Sequence, residues 1–279
     1  MRNRFTQELA VCGLNAVLAL AEYHPEQINR LFFREERLAL FTGLCKELAE
    51  RRRPYKICED EELEKICKST HHQGVVAMIL LPDVEPLSRE DLEEWFREGR
   101  TGLVLHSVGN DHNLGAMVRS AAFFDVKYIV IAGTGSKTGE SRFSEAAPNQ
   151  ALTEDSEEDN EARLSTGSYR TAEGGMEHVI VRSVRSTSAF LRDASHFLIT
   201  IGADTRARQR IGDLSRIIEE KKKSGLHGIA LVLGNEEVGL PDKVKNACSV
   251  LVRIPGTGLM DSLNVAQAAT LFMHRIFEL

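Results

Sequence analysis

The sequence contains no apolar run approaching the ~18 residues that a membrane span needs. Its opening, Met1-Arg2-Asn3-Arg4-Phe5-Thr6-Gln7-Glu8, lacks the apolar stretch of a signal peptide. No Cys-x-x-Cys pair occurs. Five cysteines (Cys12, Cys45, Cys58, Cys67 and Cys248) are odd in number and scattered. Neither a zinc site nor a disulfide framework is therefore expected, and reduced thiols in a cytoplasmic protein are. No internal repeat is present. No strand-like segment runs into Gly-x-Gly-x-x-Gly, which disfavours a dinucleotide oxidoreductase. Thr134-Gly135-Ser136-Lys137 lacks the spacing of a phosphate loop.

A basic excess is also missing. The formal net charge is −6, which argues mildly against a nucleic-acid partner. The deficit is local, however. Residues 154–161 carry six acids, and the rest of the chain is neutral without them. Arg51-Arg52-Arg53 and Lys221-Lys222-Lys223 are basic, and each by itself reads as a solvated helix face.

What remains is ordinary for a globular chain of 279 residues: 42% hydrophobic and 27% charged. That length suits two domains. Residues 1–81 read as a small alternating α/β unit. Helical spacing covers 9–22, 37–51 and 61–68, and strand-like runs cover 28–33, 55–58 and 75–81. Residues 82–100 read as a linker carrying a short helix over 88–97, with Ser88 and Asp91 as its cap. From 101 to 279 apolar strands at 103–106, 128–131, 178–181, 197–201, 229–233 and 250–254 alternate with helical patterns at 114–124, 186–194, 213–223 and 263–277. That rhythm predicts a mostly parallel sheet. Residues 134–168 break it, and about 136–164 is expected to be a disordered acidic insertion.

Three turns rich in Gly and Asn fall at the carboxyl ends of predicted strands, where open α/β sheets bind ligands. The first runs from His106 to Arg119, with Asn113 at the expected start of a helix and Arg119 in its second turn. The second is Leu233-Gly234-Asn235-Glu236-Glu237-Val238-Gly239. The third runs from Ile254-Pro255-Gly256 to Ser262-Leu263-Asn264, with Ser262 the expected helix cap. Singly, each is a common turn or cap. Together they mark one edge of one sheet.

These residues resemble the three motifs of the SpoU/TrmH family of RNA ribose 2′-O-methyltransferases, within the SPOUT superfamily. Asn113, Gly115, Arg119 and Ala121 match the first motif. Gly234, Glu236 and Gly239 match the second. Ile254, Pro255, Ser262, Leu263 and Asn264 match the third. Residues 5–80 more faintly resemble an L30e-like substrate-binding domain, through Gly13-Leu14-Asn15-Ala16-Val17 and His71-His72-Gln73-Gly74-Val75. The resemblance implies a trefoil-knotted α/β domain, an exception to the usual absence of knots. It implies a homodimer whose active sites are completed across the interface. It also implies S-adenosylmethionine held mainly by main-chain groups of Gly234, Ile254 and Leu263, with Leu233, Asn235 and Pro255 nearby.

By the same resemblance Arg119 is the catalytic arginine, acting as base or as phosphate clamp. Asn113, Glu236, Ser262 and Asn264 hold the site together. No metal is called for, because a sulfonium methyl is already activated. The implied substrate is tRNA or rRNA. His71, His72 and Arg170 are candidate RNA contacts; the two histidines read at least as well as residues that cap or pack a strand end, and Arg170 equally well as a surface arginine. The chain departs from the family at Gly256, where Met is common. It departs at Asp111-His112, where Pro commonly precedes His or Asn. Tyr169-Arg170-Thr171-Ala172-Glu173-Gly174-Gly175 stands where small residues are usual. Base N-methylation, or a non-catalytic RNA-binding protein on the same fold, are the competing readings.

Overall fold

The computed structural model describes residues 7–132 and 164–279. The acidic stretch 154–161 and Thr134–Lys137 lie outside the described residues.

The N-terminal part builds β1 (Glu8–Cys12), α1 (Leu14–Tyr23), β2 (Ile28–Phe33), α2 (Leu38–Glu50), β3 (Tyr55–Ile57), α3 (Asp60–Cys67) and β4 (Val75–Leu80). The sheet order is β1-β4-β2-β3, antiparallel except for β2 with β3. Side chains alternate across it. Leu9, Val11, Leu31, Phe33, Val75, Ala77 and Ile79 share a core with α1 and α2. Ala10, Cys12, Val76 and Met78 pack with Leu63 and Cys67 of α3. The helix expected over 9–22 is corrected here. Its first four residues, 9–12, belong to β1, which is fully paired with β4 from Glu8↔Leu80 to Cys12↔Val76. Gly13, at φ +101, makes the turn into α1, which starts at the next residue, Leu14.

The second part comprises α4 (Arg89–Arg97), β5 (Thr101–Leu105), α5 (Asp111–Phe123), β6 (Val126–Ala132), α6 (Thr166–Ala172), β7 (Ile180–Val184), α7 (Thr187–Ala194), β8 (Ile199–Ala203), β9 (Gln209–Arg210), α8 (Leu214–Lys223), β10 (Ile229–Leu233), α9 (Asp242–Lys245), β11 (Val250–Arg253) and α10 (Val265–Phe277). Among the described residues its seven strands run in the order β7-β6-β5-β10-β8-β11-β9, every pair parallel. All carboxyl ends therefore share one edge. Strand β10 is buried throughout, as an unbroken apolar run at the centre of a parallel sheet requires. Leu231 and Leu233 face the core built with α5, α8 and α10, while Ala230 and Val232 face α4, α7 and α9.

Four further expectations are corrected. Residues 82–100 are not a mere tether. Trp95 of α4 is fully buried, stacks on Tyr128 at 4.9 Å between ring centroids, and donates from Nε1 to the Arg100 carbonyl at 2.9 Å. The capping box of Ser88 and Asp91 is present, and Asp91 also pairs with Arg182 of β7 at 2.8 Å. The strand expected at 178–181 begins at Ile180, because residues 175–178 form a 3-10 turn. Helix α5 starts at Asp111 with Asn110 as its cap, which puts Arg119 in the third turn instead of the second. Finally, Asn264 and not Ser262 caps α10, its Oδ1 accepting from Ala266 N at 2.9 Å. An Asn beside the first helical residue satisfies the free amides better than a Ser two positions earlier.

Candidate active site

Parallel strands carry all three marked turns to one edge, and polar side chains then join them. Asn235 Nδ2 donates to the Ser107 carbonyl at 3.0 Å, and His106 N donates to the Leu233 carbonyl at 2.9 Å. These bonds lock the loop after β10 to the loop after β5. Asn113 Nδ2 donates to Glu236 Oε1. Asn264 Nδ2 donates to Asn113 Oδ1 at 3.1 Å. Asn113 therefore uses both halves of its amide, one on the second loop and one on the third. An Asn is the natural residue for a three-way junction, since it offers donors and an acceptor on one planar group.

A cleft of about 1040 Å³ opens beside this junction. Its walls include His106, Asn110, Asn113, Asn235, Glu236 and Gly239. His106 is buried, and its Nδ1 lies 3.0 Å from Thr187 Oγ1. The loop after β10 is folded tightly on itself. Gly239 N donates to the Asn235 carbonyl at 3.0 Å, and a Cβ on Gly234 would stand 2.5 Å from the Gly239 carbonyl carbon. Only glycine fits there.

The expected cofactor residues divide. Leu233 is buried under the sheet edge, Gly234 and Asn235 begin the tight loop, and Ile254, Pro255 and Leu263 flank the third loop. A Cβ on Gly256 or Gly258 would meet nothing within 4 Å, so this loop has open space beside its backbone. Leu259 and Met260 are 87% and 80% exposed. Ser262 is exposed and lies outside the junction's hydrogen bonds. Among the described residues, no group of three or more His, Cys, Asp or Glu is placed to hold a metal.

Arg119 stands apart from the junction, farther along α5. Its Nη1 lies 3.0 Å from Glu173 Oε1, and Asn15 of the N-terminal part donates to Glu173 Oε2 at 3.3 Å. A cavity of about 290 Å³ between the two parts is lined by Asn15, His71, Gln73, Arg119, Arg170 and Glu173, among others. Arg170 Nη1 donates to Ser69 Oγ at 2.6 Å. Of the two histidines, His71 faces this cavity. His72 is buried, its Nδ1 accepting from Gly74 N at 3.1 Å, and so it serves the turn into β4.

Helix α6 brings Glu173 to Arg119, and glycines let it approach. A Cβ on Gly115 of α5 would meet the Ser168 carbonyl at 2.5 Å, and one on Gly175 would meet Arg119 Cα at 3.2 Å. Just beyond, Glu177 is sealed between the two parts. Burial pushes its carboxyl up to about 7, although His24 Nε2 at 3.8 Å opposes the rise. Glu173, Asn15 and His106 were not singled out from the sequence as site residues. The one signal available was Glu173 standing where small residues are usual.

Comparison with known proteins decides the family. Residues 156–274 match the model of the SpoU rRNA methylase family, and residues 10–82 match that of the RNA 2′-O ribose methyltransferase substrate-binding domain. The chain belongs to the SpoU methylase family. The catalytic-family match takes in the second and third loops of the junction, while Asn113 and Arg119 precede it.

Relatives of this SpoU methylase include the uncharacterized tRNA/rRNA methyltransferase YfiF of Escherichia coli O157:H7, 28% identical over 96% of this chain and 67% of that one. The 23S rRNA (guanosine-2′-O-)-methyltransferase RlmB of Nitrosomonas europaea is 27% identical over 98% of this chain and 92% of that one. Among solved structures, the SpoU methyltransferase AviRb from Streptomyces viridochromogenes in complex with AdoMet matches with a TM-score of 0.65. It is 18% identical, over 98% of this chain and 91% of that one. An AdoMet-bound rRNA methyltransferase from Sinorhizobium meliloti matches with a TM-score of 0.68 at 18% identity, over 97% and 87%. These likenesses establish the shared α/β fold.

Proposed function

We propose that this SpoU methylase transfers a methyl group from S-adenosylmethionine to a ribose 2′-hydroxyl of structured RNA, tRNA or rRNA. The observation that carries the reading is the junction of Asn113, Glu236 and Asn264, one residue from each marked loop, on the sheet edge where ligands bind.

The residues present suit the cofactor. Gly234, Ile254 and Leu263 offer main-chain amides and carbonyls, Gly256 and Gly258 leave room beside the backbone, and Leu259 and Met260 offer exposed apolar surface. When bound, the sulfonium supplies an already activated methyl group. The rest of the task falls to the protein. A ribose hydroxyl is a weak nucleophile that must be held in line and must shed its proton. Arg119 is a poor base, since a guanidinium holds its proton tightly and offers no lone pair for another. Arg119 therefore serves as a clamp: it holds an RNA phosphate by charged hydrogen bonds and orients the hydroxyl. Asn113, Glu236 and Asn264 keep the three loops in register around the reacting groups, and Ser262 stands free at the mouth of the third loop to meet substrate.

A homodimer belongs to this reading. It is supported by Phe123 at the end of α5 and by Leu271 and Phe277 on α10, which are 80%, 45% and 61% exposed on neighbouring helices. The knot implied by the family also belongs to it, supported by β10 lying between β5 and β8 with β11 returning beside β8. A domain division at 1–81, 82–100 and 101–279 is kept with one change of emphasis, that α4 packs with the second part. An RNA substrate makes the cytoplasm the place of action.

The deciding experiment incubates the protein with labelled S-adenosylmethionine and RNA from a strain lacking its gene, then maps the methyl. A 2′-O-methyl nucleotide is expected. A methylated base, or cofactor binding without transfer, would sink the proposal. Arg119→Ala is expected to bind the cofactor normally in calorimetry and to lose transfer, and unchanged turnover would remove Arg119 from its role.

A further inference from the structure

The side chain of Arg119 is 58% exposed. A long exposed guanidinium samples many rotamers, yet in-line transfer needs it in one place. Glu173 supplies the constraint, with Oε1 at 3.0 Å from Arg119 Nη1 and Oε2 accepting from Asn15 Nδ2 at 3.3 Å. One carboxylate thus bridges the arginine on α5 and the first turn of α1, the helix that opens the N-terminal part.

The backbone beneath Glu173 is informative. It caps α6 in the left-handed region, at φ 46 and ψ 45. Glycine takes that position at far lower cost, and two glycines follow immediately. A glutamate kept in a left-handed cap argues that its side chain is needed. Stability is a weak motive, because ion pairs between half-exposed side chains contribute little. The seating of α1 is close: a Cβ on Gly174 would stand 2.7 Å from Ala19 Cβ and 3.1 Å from the Asn15 carbonyl. Arg170 ties α6 to Ser69 of the same N-terminal part.

We infer that Glu173 is a positioning residue for Arg119, and that Asn15 makes this positioning depend on how the N-terminal part sits on α6. The inference rests on the functional reading above. RNA engaged by the N-terminal part sets α1, α1 sets Glu173 through Asn15, and Glu173 sets the guanidinium. Binding energy from a remote part of the substrate is in this way spent on orientation at the reacting centre.

The test uses the full chain, labelled S-adenosylmethionine, and RNA from a strain lacking the gene. Glu173→Gly removes the carboxylate and relieves the backbone. It is expected to melt at or above the wild-type temperature while kcat falls by about 10- to 100-fold, with KM for the cofactor unchanged. Glu173→Asp is expected to recover part of the rate. Asn15→Ala is expected to lower kcat by less, and to add nothing when combined with Glu173→Gly. A Glu173→Gly enzyme as fast as wild type or faster, or an Asn15→Ala effect that adds in full, overturns the inference and leaves the functional reading standing. A wild-type protein that transfers no methyl to this RNA overturns both.

Discussion

Asn264 donates from Nδ2 to Oδ1 of Asn113 at 3.1 Å, across 151 positions of chain. The same Asn264 uses its Oδ1 to cap α10, accepting from Ala266 N and Gln267 N. One amide thus starts the last helix and fastens the third loop to the first.

Replacing Asn113 with Ala therefore strands two partners, Glu236 and Asn264. A hydrogen bond to a charged group contributes about 1.5–3 kcal/mol, so kcat is expected to fall by about 10- to 100-fold. The double replacement of Asn113 and Asn264 should cost less than the sum of the singles. A full double-mutant cycle in the transfer assay checks this, and strict additivity would mean that the two amides act separately.

Gly234→Ala tests the tight loop after β10. The added Cβ would stand 2.5 Å from the Gly239 carbonyl carbon and 2.7 Å from Leu240 N, so backbone must move. Overpacking of this kind costs about 1–3 kcal/mol. Cofactor affinity measured by calorimetry is expected to drop about tenfold or more, by the same energy. An unchanged dissociation constant would place the cofactor away from this loop.

Trp95→Ala distinguishes a packed helix from a tether. The indole is buried against Tyr128 and lies over Gly102, where an added Cβ would meet its Cη2 at 2.6 Å. Deleting a buried Trp costs about 3–5 kcal/mol. Urea unfolding is expected to show a loss of that order, whereas a loss below about 1 kcal/mol would mark 82–100 as a simple connector.

The Glu177 carboxyl gives stability a pH dependence. Its folded pKa is raised from 4.5 to about 7. Between those values the unfolded chain has released the proton and the folded one keeps it. Stability therefore falls as pH rises through this window, by at most about 1.4 kcal/mol per unit, and levels off above the folded value. Glu177→Gln keeps the shape without the charge. Its unfolding free energy minus that of wild type is expected to grow between pH 5 and 7 in parallel denaturant titrations. A flat difference would show that the group is not sealed.

Legibility was uneven, for physical reasons. Buried parallel strands were plain, because β10 needs an unbroken apolar run and Ile229–Leu233 supplies one. Strand β1 was not. Glu8–Cys12 flows into α1 after a single Gly13, and five apolar-rich residues fit either period. Helix α6 was hidden because Thr166–Ala172 carries few large apolar residues, and it is fixed by its cap and by contact with Gly115. The cap at Asn264 was misplaced by two residues, since a Ser and an Asn both suit that role on propensity alone.

By itself the sequence determined the α/β class, the three loops at strand ends, and their match to the SpoU/TrmH motifs. Those depend on local periodicity, turn chemistry and spacing, all written along the chain. Only tertiary structure decided what touches what. It joined Asn113 to Glu236 and Asn264, because parallel strands bring their carboxyl ends to one edge. It set Glu173 between Arg119 and Asn15, residues separated from it by 54 and 158 positions. That meeting depends on how three helices, α1, α5 and α6, and a glycine pair pack, and no periodicity along the chain encodes it.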